Sequence, residues 1–136
     1  MSDTAWAHLP NAKHIDAVLA DARKRPGAWC AARDAAWDAA CDAAWGAGRD
    51  AARTAARDAA RDAAWDAARA AAWGAARTAA WAAAWDAIAA LVTWDSSADL
   101  LDCTPDVLRT MIDLAESPVC HQAVLLLPYA IVRMHA

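Results

Sequence analysis

The chain has 136 residues, enough for one domain, and carries a net charge of −4 with a pI near 5.4. That balance argues against general affinity for nucleic-acid polymers or an anionic membrane surface. Hydrophobic residues make up 60% of the chain, but Ala supplies most of them. No run of about 20 apolar residues is free of charges, so no transmembrane span is predicted.

The amino end lacks a basic start followed by an apolar core, so no signal peptide is expected. Cysteines 30, 41, 103 and 120 have no CxxC spacing, and Cys30 and Cys41 sit too far apart along one helix to bridge. Reduced thiols and a cytoplasmic setting are the expectation. Residues 1–10 read as irregular up to Pro10. Asn11 is placed to cap a helix over about 12–25, with Ile15, Val18, Leu19 and Ala22 along one face. Pro26-Gly27 stops it, giving an amino-terminal helical segment over 11–27.

Residues 29–88 are fifteen consecutive four-residue units, from Trp-Cys-Ala-Ala to Trp-Asp-Ala-Ile. Slot one holds Trp, Arg or Cys, slot two is mostly Asp, and slots three and four are almost always Ala. So much Ala without proline predicts helix, and strand alternation would give a poorly matched sheet. A helix turns about 100° per residue, so each unit overshoots a full circle by about 40°. The slot-one stripe therefore winds around the helix, with Arg49, Arg53, Arg57 and Arg61 on the side that the tryptophans leave empty. A period above 3.6 favours a right-handed wrap between partners.

If unbroken, sixty helical residues span roughly 90 Å, against a radius of gyration of about 14 Å for a compact domain of this length. The predicted fold is all-α: a long Ala-rich repeat helix over 28–94 with short flanking helices, covered by other copies in a homo-oligomeric helical bundle. The alternative is a helix folded back at Gly46–Gly48, where glycines weaken it by roughly 1 kcal/mol each. Unbroken four-residue phase through those glycines favours continuity, with glycine admitting another helix at close range.

After Trp85 the pattern becomes an ordinary core-facing one, through Ile88, Leu91 and Val92 to Leu100 and Leu101. Asp95-Ser96-Ser97 reads as a turn or polar face. Thr104-Pro105 is a helix start with Thr as cap, and Val107, Leu108, Met111, Ile112 and Ala115 form its buried side. Ser117-Pro118 repeats the signal before an apolar stretch ending at Pro128. Residues 95–136 thus form a carboxy-terminal helical subdomain, too small to be stable alone. The whole, 1–136, is one all-α domain.

Burying one Trp removes roughly 150–250 Å², so nine tryptophans are expected to supply most of the grip between helices. Some also stand one turn from arginines, as in Arg61/Trp65, Trp65/Arg69, Arg69/Trp73 and Arg77/Trp81. Indole and guanidinium side by side suit a stacked base and a phosphate. The candidate ligand-binding residues are Arg57, Arg61, Trp65, Arg69, Trp73, Arg77 and Trp81. Between residues 49 and 77 there are six Arg and four Asp, a local positive excess, with Asp50/Arg53, Asp58/Arg61 and Asp66/Arg69 spaced to relieve repulsion.

Catalysis has little support: no phosphate-binding glycine loop, Ser-His-Asp pattern or HExxH is present. Cys103, Cys120, His121 and His135 lack metal-ligand spacing. A non-enzyme without cofactor or metal is expected. The Ala-Ala-[Trp/Arg]-Asp tract, the short helix before it and the tail "LLDCTPDVLRTM…SPVCHQAVLLLP" resemble small Ala/Trp/Arg repeat proteins of phages and their bacterial hosts, related to the Imm-5-like immunity proteins. The resemblance implies a phage or prophage origin and a role in phage–host conflict by stoichiometric binding, including sequestration of a nucleotide immune signal. The alternative function is a structural or interaction module whose Trp ladders only drive oligomerisation or grip a host protein.

Overall fold

The computed structural model describes residues 4–40 and 42–134. They form seven α-helices: α1 (Ala12–Lys24), α2 (Pro26–Ala39), α3 (Asp42–Asp58), α4 (Asp62–Ala75), α5 (Thr78–Thr93), α6 (Pro105–Leu114) and α7 (Val119–Met134), with a 3₁₀ segment over Asp95–Leu100 between α5 and α6. No strand occurs among the described residues. None of these helices is long and apolar enough to cross a membrane. The all-α expectation holds.

The repeat tract is not one shaft. It is divided into four helices of 14, 17, 14 and 16 residues. Nor does it break at Gly46–Gly48, since both glycines lie inside α3. The breaks fall around Ala40, at Ala59–Arg61 and at Ala76–Arg77. Burial in slot four of the units gives the reason. Ala32, Ala36, Gly48, Ala52, Ala56, Ala64, Ala68, Ala72, Ala76, Ala80, Ala84 and Ile88 are all buried. A seam of period four drifts by about 40° per unit on an α-helix. Three or four units carry it through about 120–160°, the full width of a buried face, and the chain must then turn to bring the seam back to the core. Alanine rather than Trp forms that seam, because small side chains let the helices lie close together.

At Ala59–Arg61 the chain leaves α3 through a Schellman turn. The Arg61 N–H donates to Ala56 O at 2.8 Å and the Ala60 N–H to Arg57 O at 3.0 Å. Ala60 takes the left-handed conformation, φ 59°, usually given to glycine. Thr78, opening α5, is also left-handed, with φ 58°.

Helix α5 is the axis of the molecule, packing against α1, α2, α3, α4 and α7. Its sequence allows this: it has one acid and no base, and eleven of its residues are buried, including the whole run Asp86–Thr93. Helix α7 is the second interior element, lying against α2, α3, α5 and α6, so 95–136 shares one core with the repeat tract. It runs on through Pro128 instead of ending there. Proline is held there in the packed middle of α7, where Ala123–Pro128 are all buried.

Gly48 admits α7. A Cβ at this position would lie 2.7 Å from Val124 Cγ1, whereas one at Gly46 would meet nothing within 4 Å. Asn11 stands at the start of α1 without capping it. Its Nδ2 instead donates to Leu91 O, Trp94 O and Asp95 O at 3.1–3.2 Å, closing the carboxyl end of α5. Thr104 does cap α6, accepting from the Val107 N–H at 3.3 Å. Val107 itself faces solvent, not the core.

Candidate functional site

While slot four of each unit makes the core, slots one and two meet at the surface and form a cleft with two lobes. The first, about 340 Å³, lies between α4 and α5 and is lined by Asp66, Arg69, Ala70, Trp73 and Trp81. The second, about 270 Å³, is lined by Arg33 of α2, Arg49 of α3, Arg69 of α4, and Trp81, Ala82, Trp85 and Asp86 of α5. Arg69 and Trp81 belong to both lobes. Each of the first three repeat helices thus contributes one arginine, and α5 supplies the aromatic wall.

Trp73 and Trp81 meet edge to face, with ring centroids 5.4 Å apart at 85°, a favoured aromatic geometry. The Arg77 guanidinium carbon lies over Trp73 at 5.1 Å, and that of Arg69 over Trp81 at 5.6 Å. The pairing crosses the helix hairpin, so it differs from the Arg69/Trp73 and Arg77/Trp81 pairs that spacing alone predicts. Among the described residues neither Arg69 nor Arg77 has a carboxylate within salt-bridge distance. Trp73 is 45% exposed and is the one tryptophan of the described residues that presents so much surface.

Arg49 reaches Asp86 with two parallel bonds of 3.0 Å, Nε to Oδ1 and Nη2 to Oδ2. Burial pushes the Asp86 carboxyl up to about 6, with Arg49 only partly offsetting it. The same pairing raises the Arg49 guanidinium further above its already high value. Arg49 also lies over both Trp37 and Trp45 at 5.5 Å, and Arg33 over Trp37 at 5.1 Å. Arg33 approaches only the exposed Asp34, at 3.7 Å. The second lobe therefore holds three guanidiniums and one buried carboxylate. Its wall also contains buried donors without partners among the described residues, Arg33 Nε and Trp81 Nε1, each costly to leave unmet.

Of the seven candidates, Arg69, Trp73, Arg77 and Trp81 come together, and Arg57, Arg61 and Trp65 do not join them. Arg57 is exposed on the last turn of α3, where a cation suits the helix dipole. Arg61 is a structural clamp: its Nη1 donates to Val92 O at 2.7 Å and to Asp95 Oδ1 at 2.9 Å, satisfying the end of α5. Trp65 is 7% exposed, edge-on to Trp85 at 4.8 Å and covered by Arg53 at 5.3 Å, so it is core. Of the pairs expected along the tract, Asp50/Arg53, Asp58/Arg61 and Asp66/Arg69, none forms among the described residues: Arg53 pairs with Asp62 and Arg61 with Asp95 across helices, and Arg69 pairs with no acid.

Sequence reasoning did not identify Arg33, Arg49, Asp66, Trp85 and Asp86. Their common slot membership was visible, but convergence depends on where the chain turns, and Ala40, Ala60 and Ala76 look like every other slot-four alanine.

A larger groove, about 390 Å³, lies between α2, α6 and α7 beside Ala35, Pro105, Ile131 and Met134. Its one guanidinium, Arg109, already pairs with Asp106 at 3.0 Å, and it has no aromatic wall. Among the described residues no three His, Cys, Asp or Glu converge as metal ligands. Cys41 and His135 lie outside the described residues. No protein-family model, no curated protein and no solved structure matches this chain.

Proposed function

We propose that the chain is a non-catalytic binding protein that holds a small anionic, nucleotide-like ligand in the Trp/Arg cleft. One observation carries this reading: Arg69 lines the cavity and stacks on Trp81, Arg77 stacks on Trp73 of the same cavity wall, and neither arginine has an ion-pair partner among the described residues. Guanidiniums held on aromatic faces outside any ion pair are poised for an anion. A base stacked on the exposed part of the Trp73 ring adds about 1–3 kcal/mol, by analogy with single-stranded nucleic-acid sites. The resemblance to phage repeat proteins supplies a setting, capture of a host nucleotide signal in the host cytoplasm.

Titration with a panel of nucleotides and cyclic nucleotides, followed by tryptophan fluorescence and thermal shift, tests the reading. Quenching and stabilisation by at least one member, lost in Arg69→Ala and Trp73→Ala, are expected. No response across the panel would overturn it. The second reading is an interaction module whose tryptophans only hold helices together or grip a host protein. The burial of Trp29, Trp45 and Trp65 favours it for those three residues, and Trp73 is where the two readings part. Homo-oligomer formation belongs with either reading, but it does not rest on an overlong shaft, since the tract folds back and α7 helps to cover its seam. Native mass spectrometry reads both copy number and any retained ligand.

A further inference from the structure

Asp66 is the unexpected member of the first lobe. A site built only to take phosphate gains nothing from a carboxylate, which repels the ligand. The side chain is exposed, and no ion pair or hydrogen bond involves it among the described residues. Arg69 stands three residues on, the usual spacing for a helical ion pair, yet its guanidinium is turned onto Trp81 at 5.6 Å. Asp66 therefore remains a free acceptor at the wall of an aromatic cavity.

The helix sets its distance from the stacking ring. Asp66, Ala70 and Trp73 follow i, i+4, i+7 spacing and share one face of α4, all three lining the cavity. Their outer members are about 10 Å apart along the axis, with Ala70 between them on the same face. The small Ala70 leaves the floor between them open. A flat heterocycle lying against Trp73 would present its far edge to the carboxylate.

We infer that the first lobe selects a guanine base, whose adjacent N1–H and N2–H donors meet both oxygens of Asp66 while the ring stacks on Trp73. The inference rests on the nucleotide-binding reading above and narrows it. Two parallel donors match an ionised carboxylate, which accepts at both oxygens and donates at neither. Adenine places an acceptor nitrogen beside its amino group, and uracil flanks its one N–H with two carbonyls, so each turns a lone pair toward a carboxylate oxygen. Hypoxanthine keeps N1–H but lacks the second donor. Sites built around such hydrogen bonds reject analogues that leave them unmet. The phosphates then lie toward Arg69, the residue shared with the second lobe.

Calorimetric titration of the full chain with the 5′-monophosphates and 5′-triphosphates of guanosine, inosine, adenosine and uridine tests this. The guanine nucleotides should bind at least tenfold more tightly than the other three of equal phosphate number. Asp66→Asn should abolish that preference by weakening guanine and strengthening adenine and uracil, with an unchanged circular-dichroism melt because the side chain is exposed. Equal affinity for all bases, a preference for adenine or uracil, or full guanine preference in Asp66→Asn would each overturn the inference and leave nucleotide binding standing. Binding of none of them, with tryptophan fluorescence unmoved, would overturn both.

Discussion

The same substitution two residues apart on α3 should change stability in opposite directions. In Gly48→Ala the new Cβ sits 2.7 Å from Val124 Cγ1, 3.5 Å from His121 O and 3.6 Å from Leu125 Cγ. Carbon pairs prefer about 3.5–4.0 Å, so the overlap with Val124 is roughly 1 Å. Val124 is 1% exposed, and valine in a helix has one strongly favoured rotamer, so it cannot swing aside. Overpacking of this kind costs about 1–3 kcal/mol, and better helix propensity returns up to about 1 kcal/mol. The net expectation is a loss of about 1–2 kcal/mol. At Gly46 a Cβ meets nothing within 4 Å, leaving only the propensity gain of about 0.5–1 kcal/mol. The two variants should therefore differ by about 2–3 kcal/mol, several degrees in Tm for a domain of this size. Urea unfolding followed at 222 nm reads the difference directly. Gly48→Ala as stable as the wild type or more so would refute the seating of α3 against α7.

Ala60→Gly should stabilise by about 0.5–1 kcal/mol, since a left-handed position strains Ala and not Gly; a loss in urea midpoint would argue against that turn. Asp86 gives an inverted pH dependence. Its carboxyl is raised from 3.8 to about 6, so its stabilising effect is full below about pH 4 and is lost as pH rises through 6. At about 1.4 kcal/mol per pH unit, the loss is on the order of 3 kcal/mol. Asp86→Asn removes this slope, and subtracting the two urea series from pH 4 to 7 isolates it; a difference that is flat or rises with pH would contradict the burial argument. Trp45→Ala, at a fully buried ring stacked on Trp37, should cost about 3–5 kcal/mol. Trp73→Ala should cost less than about 1.5 kcal/mol, the scale of one edge-to-face contact, and equal losses in thermal melts would mean Trp73 is core.

How much was legible depended on whether a signal was local. Ile15, Val18, Leu19 and Ala22 are the buried residues of α1 as their spacing predicts, and Thr104-Pro105 opens α6 with the expected cap. Both are short-range patterns in a non-repetitive sequence. Within the repeat the same logic misled, because units such as Arg57-Asp58-Ala59-Ala60 and Arg61-Asp62-Ala63-Ala64 are identical and yet the chain turns between them. Nothing local marks that turn; accumulated drift of the buried seam does. Tryptophan size drew attention to slot one as the source of grip, whereas slot four is buried in all units but those of Ala40, Ala44 and Ala60. Three of the candidate residues, Arg69, Trp73 and Trp81, line the cleft because they lie on one hairpin, α4 to α5, whose two arms the spacing already related, and Arg77 stacks on Trp73 beside them. Arg33 and Arg49 arrive from other helices and needed the full packing.

The division of each unit between a silent position and two talkative ones has an evolutionary consequence. Exchanging Trp for Arg at a surface slot such as Trp73 or Arg69 alters the chemistry of the cleft wall without disturbing the alanine line beneath it. Copying or deleting a whole unit is different, because it moves every later turn relative to the drift that set it. Point substitution can therefore remodel the surface of such a scaffold, whereas a change of length must rebuild its turns.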